Sequence, residues 1–226
     1  MIDALPETMK VSYGKGYSIC RVYGLLQKQR KPNGITKANP AAQAAEDLLQ
    51  RDFKSDAPNN KWLTDITEMK CKDGKLYLCA VLDCFDASIV GFSMDNNMKT
   101  PLCTSALNNA VKRYGKTNGL IVHSDRGSQF TSHLFRETLL NKGLKQSMGR
   151  TGSCFDNARM ESFFATLKKD LIYRLPLYKM EREEVRHRIF TWIETYYNRK
   201  RRHTSNEHNQ PPLVKRELFY RLAQAA

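Results

Sequence analysis

Hydrophobic and polar positions fall into a clear order from Asn59 onward. Trp62–Thr67 reads as a strand interrupted by one acid, Asp65, and Lys72-Asp73-Gly74 reads as a turn. Leu76–Leu82 is an apolar run of strand length, and Ile89–Met94 is a third candidate strand, so short turns predict an antiparallel meander. Pro101–Tyr114 then carries Leu102, Ala106, Leu107, Ala110 and Val111 at helical spacing, with Gly115 as a stop. Gly119–Ser124 is β-branched and apolar and predicts a buried strand. Ser132–Lys142 predicts a helix with Leu134, Phe135, Thr138 and Leu139 on one face, and Leu144–Met148 a short strand. A long helix beginning near Asp156 and another over Glu181–Tyr197 complete the pattern. The order β-β-β-α-β-α-β-α predicts an α/β fold: a mixed sheet with helices on both faces.

Residues 1–58 read as an accessory region, 59–180 as a core and 181–226 as a basic helical extension. Within the first region, Ile19–Gln29 and Ala41–Arg51 are candidate helices, the second on the strength of its Ala-rich start, separated by breakers at Pro32, Gly34 and Pro40. From the strands, Trp62, Leu78, Val81, Ile121 and Val122 are expected in the core. Leu107, Phe135, Phe164 and Leu167 are expected to pack on them from helices.

Charge changes the picture more than length does. The 226 residues hold 37 Lys+Arg against 23 Asp+Glu, a net +14. Residues 141–226 alone carry 18 basic and 9 acidic side chains, so +9 of that excess lies in the last third. A localised excess of this size points to a polyanionic partner, nucleic acid above all. Mean hydropathy is −0.58, no apolar run approaches bilayer length, and Met1–Lys10 shows no signal-peptide pattern, so membrane and secreted readings are disfavoured. The six cysteines form no C-x-x-C pair, and the five histidines have no zinc-ligand spacing. Reduced, structural thiols are expected, with Cys79 and Cys84 as small buried hydrophobes.

Three of the 23 acids stand out by placement. Asp65 sits inside the first strand. Asp125 directly follows a buried strand, at the end where α/β sheets present ligand-binding groups. Glu161 lies on a helix given apolar faces by Phe155, Phe163, Phe164, Leu167 and Leu171, and it shares another stripe with Asn157 and Lys168. A strand-edge Asp, a turn Asp and a solvated helix Glu are the ordinary readings of each taken singly. Taken together, they would converge where the sheet meets the helix. Converging carboxylates repel unless a hard cation neutralises them, and oxygen-only donors suit Mg²⁺ or Mn²⁺. Two such ions about 4 Å apart serve in-line phosphoryl displacement.

These residues lie in blocks that resemble a known family. WLTDIT carries Asp65, HSDRGSQFTS carries Asp125, and GSCFDNARMESFFATLKKDL carries Glu161. WIETYYNRKRRH with Pro211-Pro212 forms a fourth block, and 35 residues separate Asp125 from Glu161. The set resembles the OrfB-type transposases of the insertion-sequence-three group, within the ribonuclease H-like superfamily that includes retroviral integrases. The resemblance implies a ribonuclease H-like fold and a D-D-E triad of Asp65, Asp125 and Glu161 holding Mg²⁺ or Mn²⁺, two ions in all. It implies metal-dependent DNA cleavage followed by 3′-OH strand transfer. Gly127 and Gln129 match the motif after the second Asp and are expected to shape its loop. Asn157 is expected near the helix start or the DNA, and Lys168 at the phosphate beside the scissile bond. Arg199, Lys200, Arg201 and Arg202 are expected to track the DNA backbone, with Tyr196 and Tyr197 packing their helix.

Implied partners are duplex DNA, an upstream OrfA-type helix-turn-helix protein or fusion, and further copies of the chain on DNA; the implied location is bacterial cytoplasm, at the nucleoid. The stretch from Tyr13 to Phe53 resembles only the end of the family's pre-catalytic region. Asp86-Ala87-Ser88 and Thr204–His208 depart from the family's usual sequence. Two alternatives stay open: a non-catalytic DNA-binding remnant or regulator, and a nuclease without strand transfer. Like-charge repulsion is expected to leave Glu161 displaced when no metal is bound.

Overall fold

The computed structural model describes residues 11–26, 45–115, 119–149 and 157–225. By its internal contacts the chain separates into two units, residues 1–33 and 34–226. In the first, helix α1 (Tyr13–Val22) is capped by the Ser12 side chain, which accepts from the Lys15 amide, and it buries none of its residues. It ends seven residues before the predicted Gln29, and residues 27–29 lie outside the described set.

The second unit is built on five strands, β1 (Lys61–Cys71), β2 (Gly74–Asp83), β3 (Ile89–Asp95), β4 (Ile121–Ser124) and β5 (Lys145–Met148), in the spatial order β3-β2-β1-β4-β5. β1, β2 and β3 are antiparallel neighbours; β4 joins β1 in parallel, and β5 joins β4 in parallel. Alternation along β2 divides its side chains between two cores. Leu76, Leu78, Ala80 and Leu82 face one core with Phe163, Phe164 and Leu167 of α5 (Ala158–Asp170) and Val185 and Ile189 of α6 (Arg182–Thr191). Tyr77, Cys79 and Val81 face the other, with Leu102, Ala106 and Leu107 of α2 (Thr100–Tyr114), Phe130 of α3 (Ser128–Thr131) and Phe135 and Leu139 of α4 (His133–Asn141). The sheet is therefore mixed and covered on both faces, as the element order predicts.

Gly91 lets α2 lie directly on β3. A Cβ there would come within 2.5 Å of the Ala110 amide nitrogen and 2.6 Å of the Ala106 carbonyl oxygen, so only glycine permits this approach. Past α6 the chain continues as a π-helical turn over Trp192–Tyr197, and Asn198 then hydrogen-bonds both backbone groups of Ile89 on edge strand β3. The last helix, α7 (Pro212–Ala225), docks through Phe219 against Phe85, with ring centroids 5.1 Å apart, and through Arg216.

Three expectations need correction. Residues 45–51 of the predicted Ala41–Arg51 helix are not helical; residues 41–44 lie outside the described set. Instead the segment follows the edge of β5: the Glu46 carbonyl accepts from the Met148 amide (3.2 Å), and the Leu48 amide donates to Ser147 Oγ (2.9 Å). Gln50 and Arg51 take positive φ, so a tertiary edge contact overrides helix propensity here. Ile121 is half-buried rather than core, because it begins β4 at the rim of the sheet. Leu134 is exposed beside the buried Phe135 and Leu139, so the apolar face of α4 is narrower than its pattern implies. The other core residues expected from the pattern are all buried.

Candidate active site

Strand register brings Asp65 and Asp125 together. β1 and β4 run parallel with Trp62 opposite Val122 and Leu63 opposite His123; two residues beyond that last rung come Asp65, still within β1, and Asp125, one residue past the end of β4. Alternation places both on one face. Leu63 and Met69 of β1 pack in the α5/α6 core, and Asp65 falls between them at the same parity. Local hydrogen bonds fix the two carboxylates: Asp65 Oδ1 accepts from the Ile66 amide (2.7 Å) and Asp125 Oδ1 from the Gly127 amide (2.9 Å). Gln129 is buried and donates to the Met98 carbonyl (2.8 Å), and Arg126 donates to the Gly149 carbonyl, so the loop after β4 is held from two sides.

Helix α5 crosses this face. Asn157, immediately before it, is buried and its Nδ2 donates to the Thr64 carbonyl, one residue ahead of Asp65 (3.3 Å). Glu161 is exposed in the first turn of α5, yet its charge is felt at Asp65. Lys168, two turns further along and half-buried, also lies within electrostatic reach of Asp65. Burial lowers the Lys168 ammonium from its ordinary value, and Asp65 and Glu68 oppose that shift.

The Asp65 carboxyl is pushed up to about 8, first by burial and then by the charge of Asp125, with a smaller push from Glu161. Among the described residues no three His, Cys, Asp or Glu side chains lie close enough to grasp a metal ion together. The donor set is nonetheless the right one. It consists of carboxylate oxygens from within β1, from just after β4 and from α5, with burial and mutual repulsion at Asp65 that a hard cation would relieve. Glu161 is the member standing apart, on the solvent side of α5.

The raised Asp65 pKa has a measurable consequence for the metal-free chain. The unfolded chain releases this proton near 3.8, the folded chain near 8, so between those values the folded state binds more protons. Its stability contribution therefore falls as pH rises through that window. Urea unfolding in a chelator at pH 5 and pH 8 is expected to show Asp65→Asn gaining stability relative to the unaltered chain at the higher pH. A difference that is the same at both pH values would refute the assignment.

The basic residues separate into different environments. Arg199 and Lys200 are exposed; Arg201 is half-buried, pairs with Asp170 at 3.4 Å and lies over the Tyr197 ring; Arg202 is exposed. Tyr197 is buried, and Tyr196 is partly exposed. Pattern reading passed over Arg159, Ser162 and Thr166, although their spacing along α5 marks a polar face.

Residues 55–154 match the integrase core domain family, and residues 142–211 match a second family of the same description. The transposase for insertion sequence element IS904 of Lactococcus lactis subsp. lactis (strain IL1403) is 41% identical over 171 residues, covering 76% of this chain and 67% of the relative. The insertion element IS600 uncharacterized 31 kDa protein of Shigella sonnei is 38% identical over 199 residues, covering 87% and 71%. Transposase InsF for insertion sequence IS3A of Escherichia coli (strain K12) is 37% identical over 185 residues, covering 81% and 64%. The chain thus spans about two thirds of the length of these relatives. In fold it is similar to the HTLV-2 integrase catalytic core domain solved in complex with magnesium, in its trimeric form. That match has a TM-score of 0.53 and 21% identity, covering 72% of this chain and 99% of that one. A chain of the simian T-cell lymphotropic virus intasome in complex with PP2A regulatory subunit B56 gamma also gives a TM-score of 0.53, at 19% identity, with 71% and 56% covered.

Proposed function

We propose that this chain, which belongs to the insertion-sequence transposases built on an integrase core domain, catalyses DNA cleavage and strand transfer through Asp65, Asp125 and Glu161. The observation that carries this reading is the register of β1 and β4, which sets Asp65 and Asp125 level on the face crossed by the Glu161 helix. These carboxylates would hold two Mg²⁺ or Mn²⁺ ions, which when bound activate the attacking oxygen and stabilise the leaving one.

Asp65 and Asp125 supply the fixed half of the site, because Asp65 lies within β1 and Asp125 directly follows β4, where its carboxylate is held by the Gly127 amide. Glu161 supplies the half that closes, since it starts exposed and approaches only when the repulsion at Asp65 is neutralised. Asn157 ties the start of α5 to β1 through Thr64 and so limits how far Glu161 must travel. Lys168, two turns along, offers an ammonium to the phosphate beside the scissile bond. Water is the first nucleophile and the freed 3′-OH the second, and both attack at one site. Duplex DNA is the substrate, further copies of the chain bring two ends together, and an upstream helix-turn-helix protein or fusion reads the ends.

The test supplies precut duplex ends from the DNA flanking the gene, with recessed 3′-OH groups, together with a supercoiled target plasmid. Joined product is expected in Mg²⁺ and none in a chelator. Nicking without joined product would favour a plain nuclease. Duplex binding with neither reaction, in the presence of the upstream partner, would favour a non-catalytic regulator.

A further inference from the structure

On the other side of α5 from Glu161 lies a cavity of about 250 Å³ that the proposed chemistry does not use. Leu82, Phe163 and Tyr197 form its apolar floor. Around it stand three guanidinium groups, Arg159, Arg201 and Arg202, and the hydroxyls of Ser162, Thr166, Thr204 and Ser205. Among the described residues, no carboxylate lines it. It is smaller than the about 300 to 1,000 Å³ typical of pockets for drug-sized molecules, so it fits a compact anion better than a cofactor.

The guanidinium groups of Arg159 and Arg201 are anchored by hydrogen bonds. Arg159 donates one nitrogen to the Cys84 carbonyl, and Arg201 donates to Asp170 and to the Arg202 carbonyl. Each guanidinium carries five donors in a rigid fork, so a side chain anchored along one edge still presents others. The His203 ring lines the same cavity; its Nδ1 pairs with Ser205 Oγ at 2.9 Å. Burial pushes this imidazole down to about 4, with Arg201 and Arg159 adding to the shift and Asp86 opposing it.

The helix fixes where the cavity lies relative to the carboxylates. Glu161 and Lys168 are seven residues apart and share a stripe. Arg159 and Thr166 are also seven apart, each two residues before its counterpart, so their stripe is turned by roughly 160° at 3.6 residues per turn. A strand passing from one stripe to the other crosses a helix about 10 Å wide, or about three nucleotides at 3.4 Å each.

We propose that this cavity seats one phosphodiester of duplex DNA, about three nucleotides from the bond broken at the carboxylates, gripped by Arg159, Arg201 and Arg202 and by the hydroxyls of Ser162 and Thr166. The proposal rests on the transposase reading for its choice of DNA as the source of the phosphate. It makes α5 a two-sided element, with one stripe at the reacting phosphate and the other at a phosphate that sets the register of the strand. The contact fixes position and affinity without reading bases.

The test measures binding of the full chain to a labelled random-sequence duplex in a chelator, over a series of salt concentrations. Ser162 is exposed, so Ser162→Asp places a negative charge at the cavity without disturbing the core. This variant is expected to weaken binding about tenfold, the scale of one lost charged hydrogen bond. Arg202→Gln is expected to lower the slope of log affinity against log salt by about 0.9, with an unchanged melting temperature. Ethylating the phosphate about three nucleotides from a precut end is expected to weaken binding by the unaltered chain but not by Arg202→Gln. Unchanged affinity and slope in both variants would overturn the proposal. So would inorganic phosphate raising the melting temperature of the unaltered chain but not of Ser162→Asp while duplex binding stays equal, since that assigns the cavity to a free anion. Failure of the catalytic reading looks different: intact duplex binding without metal-dependent joining. An unaltered chain that binds no duplex overturns the cavity proposal as well.

Discussion

Asp125→Asn is expected to abolish both cleavage and strand transfer while leaving duplex binding intact or slightly tighter. The amide keeps the shape of the carboxylate and can still accept from the Gly127 amide, so the loop after β4 stays closed. What is lost is one unit of negative charge at the end of the strand pair that also presents Asp65. A site that neutralises a pentavalent phosphate through cations held by carboxylates depends on that charge. Forfeiting several kcal/mol of transition-state stabilisation corresponds to a loss of about a thousandfold or more. Asp65→Asn and Glu161→Gln are expected to fall as far, because three groups acting as a unit do not contribute additively. Duplex binding should survive all three, since the phosphates meet basic side chains and removing an acid relieves repulsion. The measurement is joined product from precut ends in Mg²⁺, run beside a binding isotherm. Normal joining by Asp125→Asn would remove Asp125 from the chemistry.

Much of the fold was legible because it rests on local regularities. The β1–β2–β3 meander follows from alternation and a Lys72–Gly74 turn, and α2 from its helical spacing and the Gly115 stop, where φ is +80°. The placement of Asp65 and Asp125 was readable for the same reason: one acid interrupts the apolar start of β1, the other directly follows the apolar β4, and the parallel pairing of those strands sets the two level. What stayed hidden depends on contacts distant in sequence. Residues 45–51 look helical in isolation and are held out of helix by the edge of β5. Arg159, Ser162 and Thr166 gain meaning only once the loop at 201–205 folds over them, about forty residues later. The run Arg199–Arg202 reads as one basic block, yet Arg201 is paired with Asp170 of α5 while Arg199 and Lys200 face solvent. Charge density is a property of sequence, whereas the direction of each charge is set by the fold.

The second large effect is structural and lies at α7. Arg216→Met is expected to destabilise the chain by about 3–5 kcal/mol, the usual cost of removing one partner from a buried ion pair. Asp83 and Asp86 are fully buried, and the guanidinium donates to both at 2.6 Å while lying 4.4 Å from the Tyr114 ring centroid. Asp83 also accepts from the Asn59 and Phe85 amides, and Asp86 from the Ser88 amide, so neither carboxylate can swing toward water without breaking the β2–β3 turn. Asp86 and Asp83 more than reverse the effect of burial on Arg216 and hold its pKa above the ordinary value. Methionine fills the space and leaves two buried acids facing each other. At about 2–4 °C per kcal/mol for a chain of this size, the melting temperature should drop by about 6 to 20 °C. Adding Asp83→Asn and Asp86→Asn to Arg216→Met should recover part of the loss, because the uncompensated charges go with it. This turn adjoins the end of β2 paired with Trp62, three residues ahead of Asp65, so the same variant should also reduce strand transfer at temperatures where the chain remains folded. A shift of a degree or less in Arg216→Met would show that the ion cluster is not what fastens α7 and leave the Phe219 and Lys215 contacts with Phe85 to hold it.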